Sequence, residues 1–449
     1  MIIRSISGVR GLTESHLTPH EAELYAQAVD DMLPAGVIMI GRDSRPSGQV
    51  LQDAIVGRLN LRGRHVIVCG IVPTPTIQFM VENTEAAGGI IITASHNPAE
   101  WNGLKFVRGD GTFFLPAECK ALFHNVDRLE SLEGGGGEST PMIWQENNAN
   151  QKHVLKVLSL SCLDINRIRS RKFRVVIDAV NGAGSEALPL MLESLGCKVV
   201  ELNCSGNGEF TRGTEPLPEN LTDLCKTITR EKADVGFAVD PDADRLAVVD
   251  ETGLPLGEEY TLVLAVDGYI RNTGREETFV TNLSTSMALD WLARDHGCTV
   301  KRTPVGEINV VKKMQEISAE LGGEGNGGVI LKEAHLGRDS LVAVAMVLNR
   351  LAQDENPMST IKAGLPQFEI VKGKINLEQV CVDDTILEAQ KIFEHAEINT
   401  IDGIKFSWDD RWIHLRRSNT EPIMRLYAEA PTAREAEDLI RQVKALIPA

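Results

Sequence analysis

Aromatic residues make up only 5% of the 449 residues, and 46 lysines and arginines face 63 acids. The net charge of −17 argues against a nucleic-acid or anionic-membrane surface, since either would need a basic face. No run of about twenty apolar residues occurs, which excludes an ordinary membrane-spanning helix. The stretch Met1-Ile2-Ile3-Arg4-Ser5-Ile6-Ser7-Gly8 turns polar too early for a secretory signal, so a cytoplasmic protein is expected. Eight cysteines are scattered without a Cys-x-x-Cys pair, and Cys69, Cys197 and Cys298 fall within or beside apolar strands. Reduced core thiols are therefore expected rather than a zinc site. With so acidic a chain, an anionic ligand needs a local pocket of arginines.

The length exceeds what one core supports and suggests three or four domains. Three stretches repeat one pattern of apolar strand, polar turn, amphipathic helix and Gly-x-x-Val entering another strand. They run Val37-Ile38-Met39-Ile40 with a helix near 47–60, Val175-Val176-Ile177 with one near 185–195, and Thr278-Phe279-Val280-Thr281 with one near 286–296. Gly63, Gly196 and Gly297 close the helices, where a left-handed cap costs glycine least. Strands alternating with helices predict mainly parallel sheets covered on both faces, hence three related α/β domains. The glycine-rich 133–139 reads as a surface loop, and Asn147-Asn148-Ala149-Asn150 makes a boundary near 150. From about Pro366 the pattern changes to alternating strands, a hairpin around Asp409-Asp410 and a charged final helix, an α+β region.

Four segments carry chemistry. In Thr93-Ala94-Ser95-His96-Asn97-Pro98, which ends the apolar run Gly88-Gly89-Ile90-Ile91-Ile92, Ser95 falls where a buried strand breaks into a turn. Its hydroxyl could act as a nucleophile or phosphate carrier, or could merely cap the turn. An acyl-transfer triad lacks its Gly-x-Ser-x-Gly elbow. Asp240-Pro241-Asp242-Ala243-Asp244-Arg245 lies between two apolar strands, and alternating carboxylates on an extended loop converge on a hard cation. An EF-hand is rejected because Arg245 occupies the obligatory glycine; magnesium suits an oxygen-only site with room for a phosphate. Gly322-Gly323-Glu324-Gly325-Asn326-Gly327-Gly328 offers Glu324 and Asn326 to sugar hydroxyls, although a plain turn would also explain its glycines. Arg416-Arg417-Ser418-Asn419-Thr420-Glu421-Pro422-Ile423-Met424-Arg425 concentrates guanidinium, hydroxyl and amide donors into a phosphate cradle, with surface ion pairing as the bland alternative. Arg10 and Lys105, each seen alone, would pass as surface cations.

Together and in this order, these segments resemble the α-D-phosphohexomutases, and the resemblance runs from Gly8 to Arg425. It implies four domains around a central cleft, three sharing the α/β topology and a smaller C-terminal one, with expected limits 1–150, 151–252, 253–365 and 366–449. It implies that Ser95 is phosphorylated and that one Mg2+ is held by Asp240, Asp242, Asp244 and the serine phosphate. Arg10 and Arg245 would steady the phosphoryl group, and Lys105 or His96 would assist proton transfer. Glu324 and Asn326 would hold sugar hydroxyls, while Arg417, Ser418, Asn419, Thr420 and Arg425 would hold the non-reacting phosphate.

The implied reaction interconverts hexose 6-phosphate and hexose 1-phosphate through a hexose 1,6-bisphosphate, with glucosamine ahead of glucose or mannose as the sugar. A phosphosugar substrate is the expected partner, with no nucleic acid and no membrane; no oligomeric state follows from the sequence. Many family members carry Gly-Glu-x-Ser-Gly-His at the sugar loop, whereas Asn326 and Gly328 stand here, and Arg338 offers partial compensation. A sugar phosphatase that admits water and a sugar-phosphate-binding protein without catalysis are the alternatives.

Overall fold

The computed structural model describes residues 2–129, 142–377, 382–417 and 423–446. The chain packs as two compact units, Met1–Gly274 with Asn326–Ile361, and Arg275–Gly325 with Lys362–Ala449.

The first unit holds a seven-stranded mixed sheet, ordered Ile3–Ser5, Gly8–Leu12, Trp101–Arg108, Ala86–Ile92, Val37–Arg42, Val66–Ile71 and Ile143–Gln145. Ala86–Ile92 runs parallel to Val37–Arg42 and antiparallel to Trp101–Arg108, and it is buried along its whole length. Burial on both faces is why it reads as a continuous apolar run without alternation. Ile38, Ile40, Ile90 and Ile92 face a core built with the helices Pro19–Met32, Ser47–Leu61 and Pro116–Arg128. Met39 and Ile91 face the opposite way, onto Ile77, Phe79, Met80 and Val81 of the helix Thr74–Glu82.

A second sheet in this unit runs Leu246–Asp250, Val235–Val239, Arg174–Asp178, Lys198–Leu202, parallel except for its first strand. The hairpin between Val235–Val239 and Leu246–Asp250 carries the three aspartates. The helices Glu259–Thr273 and Ser340–Ala352 pack against each other in the same unit.

The second unit contains three parallel strands, Thr299–Thr303, Thr278–Asn282 and Leu321–Glu324. It also contains an antiparallel five-stranded sheet ordered Glu369–Asn376, Ile423–Ala430, Trp412–Arg417, Ile404–Ser407, Glu397–Asn399, cored against the helices Val382–Ile392 and Ala433–Lys444. Buried polar contacts tie these two parts together. Glu429 accepts from Met287 N–H at 2.8 Å, Lys405 Nζ donates to Leu283 O at 2.7 Å, and Val305 N–H donates to Asp402 at 2.9 Å.

The predicted architecture is present: three α/β sheets with related helix placement and a smaller antiparallel C-terminal domain. The repeat helices are Ser47–Leu61, Gly184–Ser194 and Ala288–Asp295, and Gly63, Gly196 and Gly297 follow them at φ of 83°, 74° and 71°. The last helix starts two residues later than expected because Ser286 Oγ accepts from Ala288 N–H and Met287 N–H is committed to Glu429. The expected hairpin turns at Trp408, whose N–H bonds Arg411 O at 2.9 Å. The glycine-rich 133–139 lies outside the described residues. Seven cysteines are described and none is bonded to another; burial pushes Cys69, Cys162, Cys197 and Cys204 up to about 12, so they stay protonated. Among the described residues no helix is long and apolar enough to cross a membrane.

Candidate active site

Ser95 sits just past the strand Ala86–Ile92 with φ of 51°, a left-handed conformation that costs a non-glycine residue about 1–3 kcal/mol. Several contacts hold it there. Its N–H donates to Thr93 Oγ1 at 2.9 Å, and its carbonyl accepts from Arg45 Nη2 at 2.8 Å. Arg45 is fully buried, ion-paired with Asp43, and also bonded to Asn97 O; Asp43 in turn accepts from Thr93 Oγ1 at 2.6 Å. Gly103 lies beneath the loop, where a Cβ would stand 2.5 Å from Thr93 O and 2.6 Å from Val9 O. The strained serine is thus clamped from both sides.

The Ser95 Oγ lies 3.2 Å from Asp240 Oδ2 and 3.3 Å from His96 Nδ1. Asp240, Asp242 and Asp244 are all essentially inaccessible, and their ligand atoms lie within 4.8 Å of one another. Burial, then Asp244 and Asp242, push the Asp240 carboxyl well above the ordinary carboxylate range. Burial would raise Asp242 as well, but Lys105 and Thr74 hold it below that range, and Arg338 and Lys105 do the same for Asp244. Lys105 Nζ is 2.7 Å from Asp242 Oδ2 and 3.3 Å from Asp244 Oδ2; Thr74 Oγ1 donates to Asp242 Oδ2 at 2.8 Å and Arg338 Nη2 to Asp244 Oδ2 at 2.7 Å.

The division of oxygens tests the predicted metal site. The Oδ2 atoms of Asp242 and Asp244 are occupied by these donors, while both Oδ1 atoms are buried with no hydrogen-bond partner. These two anionic oxygens, free of hydrogen bonds although Asp244 Oδ1 lies 3.8 Å from Arg245 Nε, stand beside a third buried carboxylate and a serine hydroxyl in a hard, all-oxygen donor set, which fits a divalent cation of the magnesium type.

Cationic groups surround the serine. Arg10 Nη1 donates to Asn97 Oδ1 at 2.7 Å, and burial lowers its guanidinium from the ordinary arginine value. Arg245 pairs with Glu215 at 2.7 Å, its Nε is buried without a hydrogen bond, and it lies 3.9 Å from Asp240. Burial, then Arg245 and Arg10, push the His96 imidazole down to about 2, so it is neutral. The structure therefore brings Arg10, Ser95, His96, Lys105, Asp240, Asp242, Asp244 and Arg245 together within the first unit. Asp43, Arg45 and Thr74 belong to this cluster without having been picked out from the sequence; Gly41-Arg42-Asp43-Ser44-Arg45 at the end of the first repeat strand was the available signal.

Asn326, also in the first unit, turns the chain: its Oδ1 accepts from Gly328 N–H at 3.2 Å. A Cβ at Gly328 would stand 2.3 Å from Arg338 Cδ, so the arginine fills the space that a side chain at 328 would need.

Glu324 belongs to the second unit and is buried, accepting from Asn282 Nδ2 at 2.8 Å and Gly306 N–H at 3.0 Å. Arg417 is exposed, 3.9 Å from Asp383. Arg425 stands directly opposite Lys374 on one side and Arg416 on the other, a row of three cations across the sheet. Like charges directly opposite one another destabilise a sheet unless neighbouring groups offset them, and Arg425 Nη1 also donates to Tyr427 Oη at 3.2 Å. Lys374 was not anticipated, because only strand register brings it there. Ser418, Asn419 and Thr420 lie outside the described residues.

Comparisons with known proteins agree along the length of the chain. Family models described as phosphoglucomutase/phosphomannomutase match as alpha/beta/alpha domain I at residues 2–133, domain II at 151–253, domain III at 257–368 and the C-terminal domain at 377–446. A phosphoglucomutase/phosphomannomutase of Thermococcus kodakarensis is 35% identical over 444 residues, covering 96% of this chain and 95% of its own. A phosphoglucosamine/phosphogalactosamine mutase of Sulfurisphaera tokodaii is 30% identical, covering 98% of both. Among solved structures, a phosphoglucomutase/phosphomannomutase family protein of Burkholderia thailandensis superposes with a TM-score of 0.85 at 26% identity, covering 99% of this chain and 98% of that one. This chain belongs to the phosphoglucomutase/phosphomannomutase family, the phosphohexomutase isomerases.

Proposed function

We propose that this phosphohexomutase interconverts glucosamine 6-phosphate and glucosamine 1-phosphate, with Ser95 as the phosphate carrier and a 1,6-bisphosphate as intermediate. The observation that carries the reading is the Ser95 hydroxyl on its strained backbone, 3.2 Å from Asp240 Oδ2 in a buried aspartate cluster that leaves two carboxylate oxygens without a hydrogen bond. Asp240, Asp242 and Asp244, with the serine phosphate, would hold one Mg2+, which when bound neutralises charge on the phosphoryl oxygens.

Each residue contributes by position. Lys105, Thr74 and Arg338 fix the outer oxygens of Asp242 and Asp244, so that the inner ones keep their aim. Arg10 and Arg245 lie beside the serine loop, where guanidinium forks stabilise the spreading charge of a transferring phosphoryl group. Neutral His96 is poised to accept from the Ser95 hydroxyl, and protonated Lys105 supplies the balancing cation; these are the two candidates for proton transfer. Glu324 and Asn326 are the proposed sugar contacts. Lys374, Arg416, Arg417 and Arg425, with Ser418, Asn419 and Thr420, are the proposed grip on the second phosphate.

The amino sugar is favoured by the names of relatives such as the Sulfurisphaera phosphoglucosamine/phosphogalactosamine mutase. The Thermococcus relative's name supports glucose or mannose as the second reading. Phosphorus NMR of the magnesium-loaded protein with glucosamine, glucose and mannose 6-phosphates, each primed with its 1,6-bisphosphate, decides. Growth of a 1-phosphate signal fastest with glucosamine is expected. Release of free phosphate instead would make the protein a phosphatase and sink the mutase reading.

A further inference from the structure

Behind the aspartate loop lies a second buried cluster that the proposed chemistry does not use. Asp339 immediately precedes the helix Ser340–Ala352, and its Oδ1 accepts from Leu341 N–H at 2.8 Å. Its Oδ2 faces two imidazoles, His153 Nε2 at 2.9 Å and His335 Nε2 at 3.2 Å. His153 Nδ1 lies 3.0 Å from Thr76 Oγ1, and its ring stacks on Phe79 at 5.1 Å. None of Thr76, His153, His335 and Asp339 is more than 1% exposed. Burial alone would raise the Asp339 carboxyl, but His153 and His335 more than offset it and hold it below the ordinary range.

Both ends of this chain of contacts return to the aspartate loop. Thr76 shares a helix with Thr74, which donates its hydroxyl to Asp242 Oδ2 at 2.8 Å and its N–H to Asp242 O at 2.9 Å. Asp339 lies between Arg338, bonded to Asp244 Oδ2, and Ser340, whose hydroxyl donates to Ala243 O at 2.6 Å. The contacts form a closed ring: Asp242, Thr74, Thr76, His153, Asp339, then Arg338 and Ser340 back to Asp244 and Ala243. His153, from the separate helix Ala149–Leu158, joins the two arms.

We propose that His153 and Asp339 are positioning residues for the metal loop, locking the Thr74 arm to the Arg338–Ser340 arm so that the bare oxygens of Asp242 and Asp244 stay at coordinating separation. Direct partners of metal ligands orient them without touching the ion, and their loss typically weakens metal binding about 10–100-fold; His153 and Asp339 act one contact further out, through Thr74, Arg338 and Ser340. The cluster could instead hold a metal itself, since its two imidazoles and carboxylate lie within 4.8 Å of one another. Against that, it supplies three ligand atoms where a closed structural zinc site takes four, and both Nε2 atoms already bond the carboxylate, with only His335 Nδ1 left buried and without a hydrogen bond.

This inference rests on the metal-loop reading, and the test separates the two. Mn2+ affinity is measured by electron paramagnetic resonance on the full chain, wild type and variants, with melting temperature and bound zinc determined alongside. Asp242→Asn is the control for the loop itself, and must lose Mn2+. His153→Ala, one contact removed from the ligands, is expected to bind Mn2+ more weakly, by about tenfold, at the low end of the range for direct ligand partners. His153→Gln, which can restore a donor to Asp339, should recover most of the loss, and Thr76→Val, which removes one hydroxyl in an isosteric frame, should lose part of it.

Folded His153→Ala or Thr76→Val with wild-type Mn2+ affinity would overturn the positioning role while leaving the loop intact; if His153→Ala does not fold, Thr76→Val decides. Stoichiometric zinc in the wild type that disappears in His153→Ala would also overturn it, in favour of a structural metal. Undiminished Mn2+ binding by Asp242→Asn would remove the loop reading and this inference together.

Discussion

At Ser95 the chain maintains a left-handed backbone on a non-glycine residue and invests Thr93, Arg45 and Asp43 in holding it. Such strain persists only where surrounding contacts over-determine it. Ser95→Ala keeps the backbone but removes the phosphate acceptor, so mutase turnover should fall by several orders of magnitude, and intact-mass analysis should find no phosphate on the protein. Retained turnover in that variant would assign the nucleophile elsewhere. Ser95 and the three aspartates were legible in the sequence because their chemistry is written in contiguous segments. Arg45, Thr74 and Lys374 were not: each matters only through a contact that tertiary folding or strand register creates. His414 supplies a prediction of another kind. It is 1% exposed, bonded through Nδ1 to Ser284 Oγ at 2.9 Å, and burial pushes its imidazole down to about 4. The unfolded chain therefore binds a proton below about pH 6.5 that the folded chain refuses until about 4. Its contribution is complete above pH 6.5 and is lost as pH falls through that window, at about 1.4 kcal/mol per pH unit. Nitrogen NMR of labelled imidazole should find His414 neutral at pH 5.5. A midpoint near 6.5 would remove the effect.

Element boundaries were mostly legible, because strand, turn, helix and glycine cap each leave a local mark. The third repeat helix shows the limit: Ser286 and Met287 look helical in sequence but are drawn into side-chain contacts before the helix begins. The loop between Glu324 and Gly328 shows another. Its glycines read equally well as flexibility, and only the position of Arg338 reveals that Gly328 is a steric requirement. Gly328→Ala would set a Cβ 2.3 Å from Arg338 Cδ and force the arginine off Asp244 Oδ2. Apparent magnesium affinity should weaken about tenfold, as for loss of other ligand-orienting contacts, and activity should return at high magnesium. If magnesium dependence is unchanged, Arg338 does not hold Asp244. Gly103→Ala should be harsher: its Cβ meets two backbone carbonyls that cannot swing aside, so melting temperature and Ser95 phosphorylation should fall together.

At the scale of the whole chain, the sequence reads as four successive domains, while the folded contacts group residues 275–325 with 362–449. Periodicity reports local elements and carries no record of which distant segments share a core, so this grouping was not legible. Its physical basis is the buried polar set around Glu429, which accepts from Met287 N–H and from Trp412 Nε1–H. Lys405 adds its bond to Leu283 O while its ammonium lies 4.0 Å from the centre of the Trp412 ring. If these contacts make one cooperative body, the strands Thr278–Asn282 and Ile423–Ala430 should lose amide protection at a common free energy in native-state hydrogen exchange. Glu429→Ala strands two buried donors, at about 1–3 kcal/mol each, and should lower the opening energy of both strands by the same amount. The helices Glu259–Thr273 and Ser340–Ala352 belong to the other unit and should keep their protection. Exchange of Thr278–Asn282 in step with those helices, and independent of Glu429, would show instead that the third sheet opens with the first unit.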